Sequence, residues 1–309
     1  MSNKLVVQEA PHLYAAENHT RIMWTVFLSL IPAGVFGVLI FGLKSFWIIL
    51  VGIVSAVLTE ALIQKLRNRE VTIFDGSAAL TGLLLTFCLS SAVPLWLVAA
   101  GSFIAIAVGK QVFGGLGQNI FNPALVGRAF LLTAWPTPMT TWPGPKQLFD
   151  GITQATPLAK NFVGTSYWDL LIGNRGGCIG EVCVLALLAG VLFLLILGYI
   201  SWQIPFSFIA TVGLFAWMFG GESLFAGKWL LQILSGGLIL GAFFMATDYV
   251  TSPLTNRGRL VFGFGCGLFT AVIRIWGGYP EGVCYAILLM NAATPLIDRF
   301  TQPKVFGVK

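Results

Sequence analysis

Ten apolar runs, separated mostly by short polar connections, constrain the fold of this chain more than any other feature. A helix needs roughly 20 apolar residues to cross about 30 Å of hydrocarbon, and most of the runs approach that length. Backbone polar groups inside a bilayer must be satisfied within the protein, which favours helices. With 57% hydrophobic and only 10% charged residues, the composition excludes an ordinary soluble domain. We therefore predict an all-α polytopic membrane protein with about ten transmembrane helices.

The runs divide into two sets of five on either side of one long polar insert. The first set occupies residues 23–42, 46–63, 77–90, 94–111 and 123–135, and the second occupies 181–200, 204–219, 229–246, 260–276 and 282–297. Residues 77–90 and 236–246, which belong to the third run of each set, are short and flanked by glycine or proline. Such segments at matching positions are typical of inverted repeats. The pattern predicts two inverted five-helix repeats with broken third and eighth helices.

The distribution of lysine and arginine predicts the orientation. One side of the predicted bundle collects 11 of these residues and the other 6, with Arg128 left inside a span. By the positive-inside rule both termini are cytoplasmic. The regions are then a cytoplasmic segment (1–22), the first repeat (23–135), an extracytoplasmic loop (136–180), the second repeat (181–298) and a cytoplasmic tail (299–309). We expect the bacterial inner membrane, and we read the net charge of +6 as topology rather than nucleic-acid binding.

Charged groups inside or beside apolar runs are costly unless they are satisfied, so each is a functional candidate. Glu60 ends the second run, and we expect it to reach the membrane interface as a snorkelling carboxylate. Asp75 precedes one of the two short segments and Asp248 follows the other, and for both, capping and contact with an ion or a flavin are open. Arg128 needs either a ligand or a buried structural partner.

A glycine-rich stretch at residues 114–123 carries side-chain amides and ends at a helix start. Backbone N–H groups at such a start favour an anion or the polar edge of a ring. Asn119, Asn122 and Arg128 are therefore our candidate contacts to a cofactor.

Five cysteines are present, without a C-x-x-C pair. We interpret them as small apolar side chains. For Cys178 and Cys183 a disulfide or half of an iron–sulfur site stays open. No cluster of histidine, cysteine and carboxylate residues has the spacing of a metal site.

The long insert contains a polar loop of small residues, DGITQATPL, at residues 150–158. Its aspartate, glycine and proline are typical turn residues. The hydroxyls of Thr153 and Thr156 are unhindered groups that a modifying enzyme can esterify. A plain turn with hydroxyls that cap their own backbone is the alternative.

Two segments resemble a known family: GGLGQNIFNPALVGRAF at residues 114–130 and DGITQATPL at 150–158. They are similar to RnfD of the Rnf electron-transport complex and to its relative NqrB of the sodium-translocating NADH:quinone reductase. The likeness extends to the ten-span plan. The NqrB proteins carry a longer N-terminal extension, whereas the first span here begins at residue 23, which favours the RnfD branch.

The resemblance implies that FMN is attached through a phosphodiester to Thr156 by a dedicated flavin transferase. Thr156 matches the last threonine of a Ser/Thr-Gly-Ala-Thr motif, in which Gln154 replaces the usual glycine and Thr153 is the competing hydroxyl. The other matching residues are Asp150, Gly151 and Ala155. The resemblance also implies a second, noncovalent flavin, riboflavin.

The function implied is electron transfer between ferredoxin and NAD⁺ coupled to Na⁺ or H⁺ movement. The implied partners are the extracytoplasmic flavoprotein RnfG, the membrane proteins RnfA and RnfE, the cytoplasmic proteins RnfB and RnfC, and the lipid bilayer. The alternatives are NqrB of the quinone reductase, a urea-transporter-like channel or carrier without a redox role, and a passive anchor for neighbouring subunits.

Overall fold

A computed structural model describes residues 18–144, 158, 166–221, 223–277 and 282–302. Within these residues it is helical, with one isolated antiparallel bridge between Ser90 and Cys178 and no strand. The helices are α1 (His19–Phe41), α2 (Leu43–Leu66), α3 (Ser77–Phe87), α4 (Leu95–Ile106), α5 (Pro123–Ala134), α6 (Pro136–Thr140), α7 (Tyr167–Ile172), α8 (Val184–Ile196), α9 (Gln203–Phe219), α10 (Trp229–Leu234), α11 (Leu238–Leu240), α12 (Asn256–Trp276) and α13 (Val283–Thr301).

Four of these helices, α1, α2, α12 and α13, are long and apolar enough to cross a membrane. Five shorter apolar stretches accompany them: α3, α5, α8, α9, and α4 together with the turn that follows it. Large apolar side chains such as Leu39, Leu58 and Phe300 are exposed on the outer surface. Apolar surface of this kind is stable against lipid and not against water, so the chain is a multi-pass membrane protein.

The first two helices form a tight hairpin. Asn18 begins α1, because its side chain accepts a hydrogen bond from the backbone N–H of Arg21 at 2.7 Å. Gly42, with φ of 89°, is the single residue between α1 and α2. Glycine adopts a positive φ without strain, which lets the chain reverse direction within one residue.

Neither of the two runs that we expected to be broken forms a helix of membrane length. Helix α3 has 11 residues, about 16 Å at 1.5 Å per residue, and every one of them is buried. The other run contains α10, a break at Gly236 and Gly237 with φ of 69° and 66°, and α11, which continues into a π-helical turn at Gly241–Met245.

A second π-helical turn, Ala107–Gln111, extends α4. Extra residues inserted into a helix in this way are frequent at functional sites, because they re-aim the side chains that follow. Here the turn places Lys110 and Gln111 in the interior of the protein.

The first helices of the two sets pack directly against each other. A Cβ atom placed on Gly190 of α8 would lie 2.2 Å from the carbonyl oxygen of Ser29 in α1. Helices in a bilayer gain little from the hydrophobic effect, so small residues that permit close backbone approach carry much of their association. Gly190 therefore holds the contact between α1 and α8.

We expect Gly190→Val to lower the stability of the solubilised protein by about 1–3 kcal/mol, because the added methyl groups must push α1 away. Ala189→Val is the matched control, since Ala189 is its neighbour and is exposed on α8. Thermal unfolding in detergent, followed by loss of monodisperse protein, measures both variants. Equal melting temperatures for the two would contradict the assignment.

Candidate functional site

A pocket between the two sets of helices is the centre of the candidate site. It encloses about 760 Å³ of space, including its mouth. Small-molecule sites are typically clefts of about 300–1,000 Å³ with apolar walls and a few polar groups. The polar side chains that line this cavity are Ser77, Thr81, Lys110, Asn119, Asn122, Thr247, Asp248 and the ring-bearing Tyr199 and Tyr249.

A buried ion pair forms one wall of the cavity. The ammonium of Lys110 lies 2.7 and 2.8 Å from the two carboxylate oxygens of Glu60 and 2.6 Å from the hydroxyl oxygen of Ser77. The side chains of Lys110 and Glu60 are each 1% exposed. An ammonium has three donors, and these contacts occupy all of them. Complete pairing of this kind is what a buried charge pair requires.

Two glutamine side chains complete the shell around Glu60. Gln111 donates to Oε1 of Glu60 at 3.0 Å. Gln64 donates to the same oxygen at 3.2 Å and to the hydroxyl of Thr72 at 2.9 Å. The nitrogens of Lys110, Gln111 and Gln64 therefore take the place of water around the carboxylate.

The expectation that Glu60 snorkels to the interface is wrong. Lys110, which we had counted among the cytoplasmic surface charges, is buried with it. The physical reason is the π-helical turn after α4, which directs the Lys110 side chain inward. A sign was present in the sequence: two opposite charges lie near the same predicted end of the second and fourth runs.

Asp75 caps α3, as one of our two interpretations predicted. Its Oδ1 accepts from the backbone N–H of Ser77 at 2.8 Å and from the Ser77 hydroxyl at 2.7 Å. Because Ser77 also accepts from Lys110, one hydroxyl joins the ammonium to a second carboxylate.

Asp248 lies on the opposite wall, in the loop that follows the second π-helical turn. It accepts from the backbone N–H of Val250 at 3.4 Å and from the hydroxyl of Thr251 at 3.3 Å. Burial raises the pKa of the Asp248 carboxyl, and these hydrogen bonds and the charge of Lys110 lower it by less. A carboxyl of this kind takes up a proton more readily than one in water.

The glycine-rich stretch delivers both of its candidate asparagines to the cavity. Asn122 caps α5 by accepting from the N–H of Ala124 at 3.1 Å, and it donates to the carbonyl oxygen of Met245 at 3.2 Å. Asn119 donates to the carbonyl oxygen of Phe121 at 3.1 Å, while its side-chain oxygen is buried without a hydrogen-bond partner. A buried acceptor left in this state favours a ligand that donates to it.

Arg128 does not lie with these asparagines. It is buried on the far part of α5, with Nη2 3.9 Å from the sulfur of Cys178. All five cysteines are buried thiols, so the alternative of a disulfide between Cys178 and Cys183 is wrong. Among the described residues, no group of three or more histidine, cysteine or carboxylate side chains is placed to hold a metal ion.

Arg274 packs against the break between α10 and α11. It donates to the carbonyl oxygens of Gln232 at 2.6 Å and Gly236 at 3.0 Å. Leu158 contacts the same place, since a Cβ on Gly236 would lie 2.4 Å from its Cδ1 and 2.8 Å from Nη2 of Arg274. The remaining candidates lie outside the described residues: Asp150, Gly151, Thr153, Ala155 and Thr156.

Comparison with known proteins agrees with the helical architecture. The D subunit of the proton-translocating ferredoxin:NAD(+) oxidoreductase complex of Clostridium ljungdahlii is 49% identical over 322 residues, covering 99% of this chain and 97% of that protein. The D subunit of the Na(+)-translocating complex of Acetobacterium woodii is 46% identical, over 98% and 96% respectively. The profile of the NQR2, RnfD, RnfE family matches residues 6–307. The chain therefore belongs to the NQR2, RnfD, RnfE family.

Proposed function

We propose that this chain is RnfD, the flavin-carrying membrane component of an ion-translocating ferredoxin:NAD⁺ oxidoreductase. The observation that carries the proposal is the similarity over nearly the whole length to relatives that are named as this component. These names also favour RnfD over NqrB of the quinone reductase. One relative is named for protons and the other for Na⁺, so the proposal covers electron transfer coupled to either ion.

The first cofactor in the proposal is FMN, esterified to Thr156 by a flavin transferase. The motif at residues 150–158 supports it, and so does the position of Leu158, two residues beyond the acceptor. Leu158 lies against Gly236 and close to the guanidinium of Arg274. A phosphodiester carries a negative charge, and guanidinium groups are well suited to bind phosphate oxygens. The flavin supplies electron transfer, while the tether keeps it from dissociating during exchange with a partner.

The second cofactor in the proposal is noncovalent riboflavin in the cavity. The unpaired oxygen of Asn119 suits a donor such as the ring N–H of a flavin, and the ammonium of Lys110 suits its electron-rich atoms. The apolar walls from α1 and α3 suit the ring faces. Flavin held there exchanges electrons, while the chain orients it and shields it from water.

The proposed topology has ten spans in two inverted repeats, with both termini cytoplasmic and the loop at 136–180 extracytoplasmic. Similar pairings in both sets support it: α2 packs on α3 and α4, and α9 packs on α10 and α12. The last helix of each set contacts the preceding one, as α4 with α5 and α12 with α13. In this arrangement the flavin-bearing loop faces RnfG, the bilayer surrounds the helices beside RnfA and RnfE, and the cytoplasmic face meets RnfB and RnfC.

Two measurements test the cofactors separately. When the chain is produced with the transferase, a denaturing gel is expected to show a fluorescent band, and the intact mass is expected to rise by one FMN. Acid precipitation is expected to release riboflavin and leave FMN on the protein. A channel or passive anchor predicts neither flavin. Absence of the covalent adduct in cells that flavinylate another substrate of the transferase would refute the proposal.

A further inference from the structure

Two spaces meet at the buried ion pair. Besides the cavity, a more open vestibule encloses about 870 Å³, including its mouth. Its wall includes Gln64, Thr72, Asp75 and Gln111. Lys110 borders the cavity and not the vestibule, while Asp75 borders the vestibule and not the cavity. The Ser77 hydroxyl lies between these two groups and hydrogen-bonds to both.

The three groups form a continuous hydrogen-bonded line. Oδ1 of Asp75 lies 2.7 Å from Oγ of Ser77, and that oxygen lies 2.6 Å from Nζ of Lys110. A hydroxyl both donates and accepts, so Ser77 can pass a proton by turning its O–H bond. The Gln64 and Gln111 amides between Glu60 and the vestibule are poor at this, because they have no readily exchanged acidic proton.

The charges around this line favour a mobile proton. Glu60 contacts Lys110 directly and Asp75 reaches it through Ser77, while Asp248 faces it across the cavity. The other titratable groups that face the vestibule are His19, Arg69 and Glu70, and Arg69 donates to the carbonyl oxygen of Gly114. Several carboxylates around one buried ammonium make protonation of one of them favourable.

We propose that Lys110 transfers protons from the vestibule to the occupant of the cavity, through Asp75 and Ser77. The proposal rests on the proposed noncovalent flavin, whose ring nitrogen becomes the acceptor after reduction by the complex. An N–H bond of Lys110 breaks as a proton passes to that nitrogen. The neutral amine then takes the Ser77 hydroxyl proton, Ser77 takes the proton of the Asp75 carboxyl, and vestibule water reprotonates Asp75. Glu60 positions Lys110 and stabilises its charged form.

The test uses variants that separate the relay from the charge. Ser77→Ala removes the hydroxyl and leaves Lys110, Glu60 and the cap on the backbone N–H in place. Ser77→Thr is the matched control that retains a hydroxyl. Lys110→Arg keeps the positive charge on a group that does not release its proton in proteins. Melting temperature and acid-released flavin are measured first, to verify that each variant is folded and loaded.

The flavin of the purified, flavin-loaded chain is reduced anaerobically, and a stopped-flow pH drop then protonates it. The absorbance of the reduced flavin reports the rate. We expect Ser77→Ala and Lys110→Arg to slow protonation by at least about tenfold, as for loss of a general acid, and Ser77→Thr to stay within about twofold of the wild type. A wild-type rate in both Ser77→Ala and Lys110→Arg would overturn the relay and leave the cofactor proposal intact. If the wild type releases no flavin to acid, the cavity cofactor fails and the relay with it, while the Thr156 adduct is judged by its own mass.

Discussion

Thr156→Ala is expected to abolish covalent flavin completely, whereas Thr153→Ala keeps it. The acceptor oxygen must be the atom that the transferase presents to the phosphate, and alanine offers no oxygen at that position. A neighbouring hydroxyl does not substitute unless the loop shifts by three residues. Gel fluorescence and the intact mass of each variant, produced together with the transferase, measure the effect.

The two threonine variants serve as controls for each other, since each removes one hydroxyl from the same loop. Adduct retained in Thr156→Ala and lost in Thr153→Ala would move the attachment to Thr153. Adduct lost in both variants would indicate that the transferase reads the whole motif. Either result would contradict the single-acceptor assignment, and membrane insertion is verified independently by the yield of monodisperse protein.

The helical architecture was largely predictable from the apolar runs. The run at 46–63 holds α2, and its ends extend to Leu43 and Leu66 because capping by Gly42 and an amphipathic last turn lie outside a purely apolar pattern. The breaks were marked by glycine, as at Gly236, where a positive φ is required. Helix boundaries and the π-helical turn at Ala107–Gln111 were not predictable, because they depend on contacts between distant segments.

The candidate site was predictable only in part. Asn119 and Asn122 reach the cavity because both belong to one local turn before α5, which sequence reasoning treats well. The pairing of Glu60 with Lys110 joins residues that are 50 positions apart. A pattern that finds a charge at the end of an apolar run does not distinguish a partner across the bundle from water at the interface. The inward turn after α4 decides between them.

That ion pair gives the second large effect. Glu60→Leu alone is expected to lower the free energy of unfolding by about 3–5 kcal/mol, because it leaves the Lys110 ammonium buried without its carboxylate. The double variant Glu60→Leu/Lys110→Met is expected to recover most of this loss, since neither side chain is then charged. Lys65→Met, on the exposed last turn of α2, is the control for loss of a lysine charge. Thermal unfolding in detergent gives all three values.

The double variant also separates stability from proton transfer. If the pair serves only to hold α2 against the turn after α4, the double variant is stable and its bound flavin protonates at the wild-type rate. If Lys110 carries protons, the double variant is stable and protonates slowly, because methionine has no N–H to give. A double variant as unstable as Glu60→Leu would show that the two charges do not compensate each other, and would refute the pairing as the source of the effect.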